Sequence, residues 1–500
     1  MLSTLIWMPV VGAAVVGFFP GKQTANRLRL IALIFALASV VWTIWLGSQF
    51  DLNASGLQFQ EYLSWIPKLG LSYNLGVDGL SLPLLALSGL LTLVAIYGNG
   101  EAVQRPRLYY SMILLVNAGI AGAFLAQNLL LFVLFYELEL IPLYLLIAIW
   151  GSEKRGYAAT KFLIYTAVSG ILILAGFLGV AWLSGSSSFD YSAIATKPLS
   201  LITQLVLLTL LLVGFGIKIP LVPLHTWLPD AYVEASPPIA ILLGGVLAKL
   251  GTYGLVRFGL QLFPETWAIV APGLSIIGVI SVLYGAFSAI AQKDIKRMVA
   301  YSSIGHMGYI LVAAAAGTPL STLGAVAQMV SHGLILAILF HLVGIVEAKV
   351  GTRELDVLNG LMNPIRGLPL TSALLILSGM ASAGIPGLVG FVAEFIVFQG
   401  SFAIFPVPTL LCIIASGLTA VYFVILINRT CFGKLDNQLA YYPKVTWSER
   451  LPALVLASVI FFLGVQPIWL TRWIETTTTA IAATISTNNS QLAVNYQQQK

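Results

Sequence analysis

Two lysines, three glutamates and four histidines lie within or beside stretches of otherwise apolar residues, and any chemistry of this chain must rest on them. Lys218 falls in GFGIKIPLVPLHTWLPD, and Lys249 in LLGGVLAKLGTYG, where small residues let helices approach closely. Glu137 and Glu139 share LFVLFYELELIPLYLL, and Glu394 follows a Gly/Pro break in GFVAEFIVF. At membrane depth an ionisable group is costly unless it faces protein or a wet cavity, so such residues mark an ion or proton path. Burial disfavours either charge alone, whereas pairing Glu137 with Lys218 restores both, and separating the pair discharges it. Glu137, Lys218, Lys249 and Glu394 then form an acid, base, base, acid series that can load and unload protons. On a straight helix Glu137 and Glu139 point about 200° apart, so only one of them faces a given cavity.

The four histidines admit more than one role. His306 and His332 are as consistent with a relay as with hydrogen-bonding struts, while His341 is better suited to a strut. His225 and Asp230 follow the Lys218 stretch, where they serve as an entrance or simply cap the loop.

The elements that position these groups are membrane spans. With 58% hydrophobic and 9% charged residues over 500 positions and a mean hydropathy of +0.94, a soluble globule is excluded. The pI near 9.1 reflects basic residues in short loops, which set topology and do not imply nucleic acid. Cys412 and Cys431 are isolated, so no cofactor, metal or redox centre is expected on this chain. The sequence predicts an all-α polytopic membrane protein with about 14 transmembrane helices. The first apolar run, from Leu2, reads as a retained span. Pro220 and Pro223 remove the helix bonds to Gly216 and Ile219, which breaks the seventh span, and SAGIPGLVGF breaks the twelfth. Broken spans in matching places predict two inverted five-helix repeats, spans 4–8 and 9–13. The divisions are 1–107 with an ordered external loop at 49–79, the first repeat 108–258, the second 259–430, a linker and span 14 at 431–471, and a mobile polar tail at 472–500. Seventeen of the 25 Lys and Arg residues fall on one side of this arrangement, which places both termini outside.

On these residues the chain resembles the antiporter-like membrane subunits of complex I and the related Mrp antiporters. The stretches that carry the likeness are GVDGLS (76–81), YELELIPLYLL (136–146), KIPLVPLHTWLPDA (218–231), AQKDIKRMVAYSSIGHMGY (291–309), QMVSHGL (328–334) and FVAEF (391–395). Within the family it is most similar to the chain 4, M or D type, of cyanobacterial and chloroplast NAD(P)H dehydrogenase-like complexes. The resemblance implies a proton-translocating subunit in which Glu137 and Lys218 pair, Lys249 is the central lysine and Glu394 the exit acid, with His225, His306 and His332 further along the path. It implies a thylakoid location with lumenal termini, and redox chemistry (ferredoxin or NAD(P)H to plastoquinone) on other subunits with their iron-sulfur clusters. It also implies neighbouring membrane-arm subunits, among them a second antiporter-like chain. YVEASPPIAILLGG departs from the family with Tyr232 and the Pro237-Pro238 pair, which suggests the carbon-dioxide-uptake form and a CO2-hydration module as partner. The rival readings are an Mrp-type cation/proton antiporter and a membrane scaffold.

Overall fold

Prolines and capping side chains decide where the helices of this chain begin, and apolar composition decides how far they run. The computed structural model describes residues 1–21, 24–99, 103–195, 199–434 and 442–498, with side chains as far as residue 484. Lys22, Lys197 and Lys500, which enter the charge count above, lie outside the described residues. The fold is mostly helical, and among the described residues eleven helices are long and apolar enough to cross a membrane.

The first part comprises α1 (Ser3–Phe18), α2 (Ala25–Ser48), α3 (Leu82–Tyr97), α4 (Pro106–Leu125), α5 (Leu129–Leu138), α6 (Leu140–Trp150), α7 (Arg155–Leu183), the short α8 (Tyr191–Ile194) and α9 (Leu201–Lys218). The short α10 (Trp227–Glu234) then leads to a long span, Pro237–Leu260. This span is α-helical at α11 (Pro237–Leu242) and α12 (Ala248–Gly254), with wider π-helical turns at Leu243–Leu247 and Leu255–Leu260. The rest consists of α13 (Pro264–Ile290), α14 (Ile295–Ala316), α15 (Pro319–Val350), α16 (Pro369–Ser382), α17 (Val389–Phe402), α18 (Pro406–Cys431), α19 (Trp447–Val465) and α20 (Ile468–Gln498).

Local chemistry explains many of these boundaries. Asn128 accepts hydrogen bonds from Leu130 N and Leu131 N at the start of α5, and Asp294 does the same for Lys296 N and Arg297 N at α14. Thr318 with Ser321, and Thr446 with Glu449, close capping boxes on α15 and α19. Proline occupies the first turn of α4, α11, α13, α15, α16 and α18, where its missing N–H costs nothing.

Two expectations need correction. The loop at 49–79 contains an antiparallel hairpin, β1 (Gln58–Ile66) paired with β2 (Leu71–Val77), so the fold is not purely helical. Aromatic and β-branched residues such as Tyr62, Trp65 and Ile66 favour the strand, and Gly70, at φ 66°, supplies the left-handed residue of the turn. The polar tail expected after residue 472 is helical and docks by its first turns. Ile474, Thr477, Thr478, Ile481 and Ala482 are buried, and Thr477 Oγ1 accepts a hydrogen bond from Gly79 N at 3.0 Å. Thr and Ile spaced along one helical face bury more than the average polarity of the tail suggests.

The core is defined by who faces whom. The span 237–260 is wholly buried and α14 and α15 nearly so, whereas α2 and α19 leave most of their surface uncovered. Chain breaks then fall beside ionisable groups: α9 stops at Lys218 and α16 gives way to α17 ten residues before Glu394 is reached from Gly384.

Candidate functional site

Lys218 closes α9 and is 1% exposed. Its Nζ lies 2.6 Å from Oε1 of Glu139, itself wholly buried, and sits 4.3 Å over the ring of Tyr136. Tyr136 is steadied in turn, its hydroxyl 3.0 Å from Ser169 Oγ, which donates to Gly214 O at 2.7 Å. The partner implied for Lys218 was Glu137, and here the structure differs: Glu137 is only partly buried and turns to α7, where a Cβ on Gly170 would meet its Oε1 at 1.9 Å. The two carboxyls do diverge, and it is Glu139 that faces the lysine. The backbone is interrupted at Glu139, between α5 and α6, three residues ahead of Pro142, which cannot bond back to Leu138. Gly119 of α4 admits this turn, since a Cβ there would stand 3.3 Å from Glu139 N.

A second cluster begins at Lys249, which is wholly buried. Its Nζ donates to Gly244 O at 2.5 Å and lies 3.0 Å from His332 Nδ1. That carbonyl is turned toward it by the π-helical Leu243–Leu247 segment. The rings of His332 and His306 are 5.2 Å apart. His306 Nδ1 stands 3.5 Å from Glu394 Oε1 and 3.4 Å from Gln328 Nε2, and its Nε2 is 3.0 Å from Ser382 Oγ. Glu394 accepts from Ser416 Oγ at 2.8 Å, beside Gly384 (φ 70°), where a Cβ would come within 2.8 Å of the carboxylate. The result is a continuous line of buried groups: Lys249, His332, His306, Glu394. His306 and His332 thus stand between Lys249 and Glu394, with no hydrogen bond between the two rings.

The clusters adjoin through close helix contact, because a Cβ on Gly251 would meet Ile219 Cγ1 at 2.8 Å and Lys218 Cβ at 3.2 Å. His341 stands apart, its Nε2 2.8 Å from Glu449 O, which is the arrangement of a strut. His225 packs on Tyr284 at 4.6 Å and is not joined to either line by a hydrogen bond to one of its members. Below it Asp230 gathers Lys161 (2.8 Å) and Arg297 (3.2 Å), so the loop after Lys218 is tied to α7 and α14.

Several participants escape a reading of the sequence. Ser382, Ser416 and Gln328 are unremarkable residues until the fold brings them to His306 and Glu394. The buried Arg257 and Asp78, 179 residues apart, form an ion pair that ties the hairpin to the end of the Lys249 span. Asp78 also accepts from Leu80 N and Ser81 N at 3.1 Å, so GVDGLS is an anchoring turn. For Glu139 a signal existed: Pro142 marks the helix break that spoils straight-helix geometry.

Buried acids and bases held on interrupted helices at membrane depth define a membrane protein of the antiporter-like, proton-handling class. The chain belongs to the family described as NADH:quinone oxidoreductase/Mrp antiporter membrane proteins, whose pattern it matches over residues 126–419. It is 40% identical over 506 aligned residues to the NAD(P)H-quinone oxidoreductase chain 4 of Acaryochloris marina, covering 99% of this chain and 94% of that one. Its fold superposes on a chain of respiratory complex I from Thermus thermophilus with a TM-score of 0.87 at 27% identity, covering 97% of this chain and all of that one. A chain of the Mrp complex from Dietzia sp. shares the fold, with a TM-score of 0.84 at 21% identity over 97% of this chain and 99% of that one.

Proposed function

We propose that this chain is a proton-translocating membrane-arm subunit of a photosynthetic NAD(P)H dehydrogenase-like complex, coupling electron transfer to plastoquinone with proton movement. The observation that carries this is the row of buried groups from Lys249 through His332 and His306 to Glu394, beside the Lys218–Glu139 pair. Burial penalises a lone charge at each end, so a lysine keeps its proton, and a glutamate gives its proton up, only where the opposite charge is near. Parting Lys218 from Glu139 disfavours both charges, and a hinge at the broken end of α9 supplies the motion with little cost. A proton leaving Lys249 is taken at His332 Nδ1 while His332 releases one from Nε2; internal water carries it across to His306, which gains a proton at Nε2, beside Ser382, as it gives one from Nδ1 to Glu394. The buried hydroxyl of Ser331 and Nε2 of His332 have no protein partner, and polar groups of this kind are ordinarily satisfied by internal water, which also conducts protons. His225, with Lys161, Asp230 and Arg297 below it, forms the access side of the first cluster.

The eleven long helices, the shorter α1 and α3, and the α16–α17 pair counted as one broken span make the fourteen spans of this reading, in repeats 108–258 and 259–430. Both termini then lie on the lumenal side of a thylakoid membrane. Donor, quinone and iron-sulfur sites belong to partner subunits, and this chain carries no cofactor. The relative named as NAD(P)H-quinone oxidoreductase chain 4 supports the assignment. Tyr232 supports the carbon-dioxide-uptake form with its CO2-hydration module, because it donates to Leu243 O at 3.1 Å where a histidine would serve the proton path.

The test is donor-driven proton uptake by the purified complex in sealed vesicles, with Lys218→Ala beside the unaltered protein and assembly checked on native gels. Uptake is expected to fall while assembly holds. Unchanged uptake in an assembled variant overturns the proposal, and donor-independent sodium/proton exchange by the unaltered chain favours an Mrp-type antiporter instead.

A further inference from the structure

An apolar slot of about 680 Å³ opens between the uncovered faces of α2 and α19, and no member of either charged cluster lines it. Its back wall is α3 and α15, its sides are α2 and α19, and α20 forms its rim. Along α3 the lining runs from Leu82 to Leu90, which is about 12 Å of depth at the rise of an α-helix. This size and shape suit a flexible hydrocarbon ligand.

The rim differs from the walls. Arg472 stands there with its guanidinium carbon 3.9 Å over the ring of Trp469 and 5.8 Å from that of Trp473. Its Nε is buried without a hydrogen-bond partner, and no carboxylate lies within ion-pair distance of it among the described residues. The slot's polar wall residues need no ligand: Thr43 Oγ1 donates to Ser39 O and Ser48 Oγ to Trp45 O, each within its own helix. A single cation with unused donors therefore sits over a hydrocarbon-lined cavity, flanked by tryptophans of the kind that settle at headgroup level.

We propose that this slot is a binding site for an anionic diacyl lipid, with acyl chain in the cavity and the phosphate or sulfonate of the headgroup on Arg472. The planar guanidinium accepts a tetrahedral oxyanion through paired N–H donors, and its charge selects anionic headgroups over neutral sugar or zwitterionic ones. A quinone would fill the cavity equally well but offers no charge to Arg472. The acyl chain meets Val330 and Leu334 of α15, two residues before and two after His332, so lipid and proton relay share one helix.

The experiment measures lipid retained by the purified complex after detergent exchange, by extraction and mass spectrometry, for four proteins: unaltered, Arg472→Gln, Ala86→Trp, which fills the slot from an exposed position on α3, and Lys68→Gln as an exposed control. The unaltered complex and the Lys68→Gln control are expected to retain phosphatidylglycerol or sulfolipid, with retention down about tenfold in Arg472→Gln, the loss expected for one charge-assisted contact. Ala86→Trp is expected to lose the lipid although Arg472 is intact. Where Ala86→Trp fails to assemble, Arg472→Gln and re-addition of phosphatidylglycerol against phosphatidylcholine decide the matter. Equal retention in all four proteins overturns the proposal, as does recovery of a neutral lipid or a quinone from the slot. So does cross-linking of Ala86→Cys to a neighbouring subunit, which would make the slot a protein interface.

Discussion

The two charged clusters solve the same electrostatic problem in different ways. In the first, acid and base touch: Glu139 and Lys218 are 2.6 Å apart on two interrupted helices, with an aromatic ring beneath the ammonium. In the second, Lys249 and Glu394 are kept apart, and two histidines occupy the distance between them. A contact pair stores a charge separation and releases it only when a hinge moves. A spaced pair with imidazoles between conducts instead, because each ring both accepts and donates. On the proposed function, the first cluster acts as a switch and the second as a wire.

The sharpest way to break this contrast is to remove one member of the contact pair. Glu139→Leu alone leaves a buried, unpartnered ammonium, and the expected cost is about 3–5 kcal/mol, read as a lower unfolding temperature or lost assembly on native gels. Glu139→Leu combined with Lys218→Met should recover most of that stability, since an apolar pair of similar volume is about as stable as a buried ion pair. Proton uptake should stay abolished in both. Glu137→Gln, on the α7 side, should leave assembly unaltered; if it proves as damaging as Glu139→Leu, the identification of the contact pair is wrong.

A smaller effect on stability is expected in the wire. His306→Leu removes hydrogen-bonding to Ser382 and Gln328 at a cost of about 1–3 kcal/mol, with assembly preserved and proton uptake lost. Retained uptake in His306→Leu and in His332→Leu would show that protons bypass the imidazoles and that the two clusters work alike. Least of all is expected from His341→Phe, which gives up one bond to Glu449 O, worth about 0.5–1.5 kcal/mol in thermal stability. Its proton uptake should match that of the unaltered protein.

How much of this was legible depends on the range of the interaction involved. The ends of α9 and α16 follow from single residues, because proline removes a specific hydrogen bond and glycine permits the turn; Lys218 and Glu394 were thus placed beside breaks from sequence alone. Glu137 and Glu139 were separated correctly by helical angle, yet choosing the one that meets Lys218 needs the tilt of α5 at its interruption and the room left by Gly119 and Gly170. The Asp78–Arg257 pair was out of reach, since nothing local joins residues 179 apart. The π-helical turns around Lys249 leave no mark in apolar periodicity, because every face of that span is buried. The docked portion of α20 was missed for the opposite reason: its mean polarity hid a narrow face of Ile, Thr and Ala.

That total burial of the span 237–260 has a bearing on how the protein answers to its surroundings. Lys249 has no view of the bilayer in any direction; α2, α7, α18 and α19 form a jacket around the buried span, α14 and α15. The surroundings meet the jacket first and reach α15 where the slot between α2 and α19 uncovers Val330 and Leu334. The electrostatic potential at the lysine is therefore set chiefly by its protein neighbours.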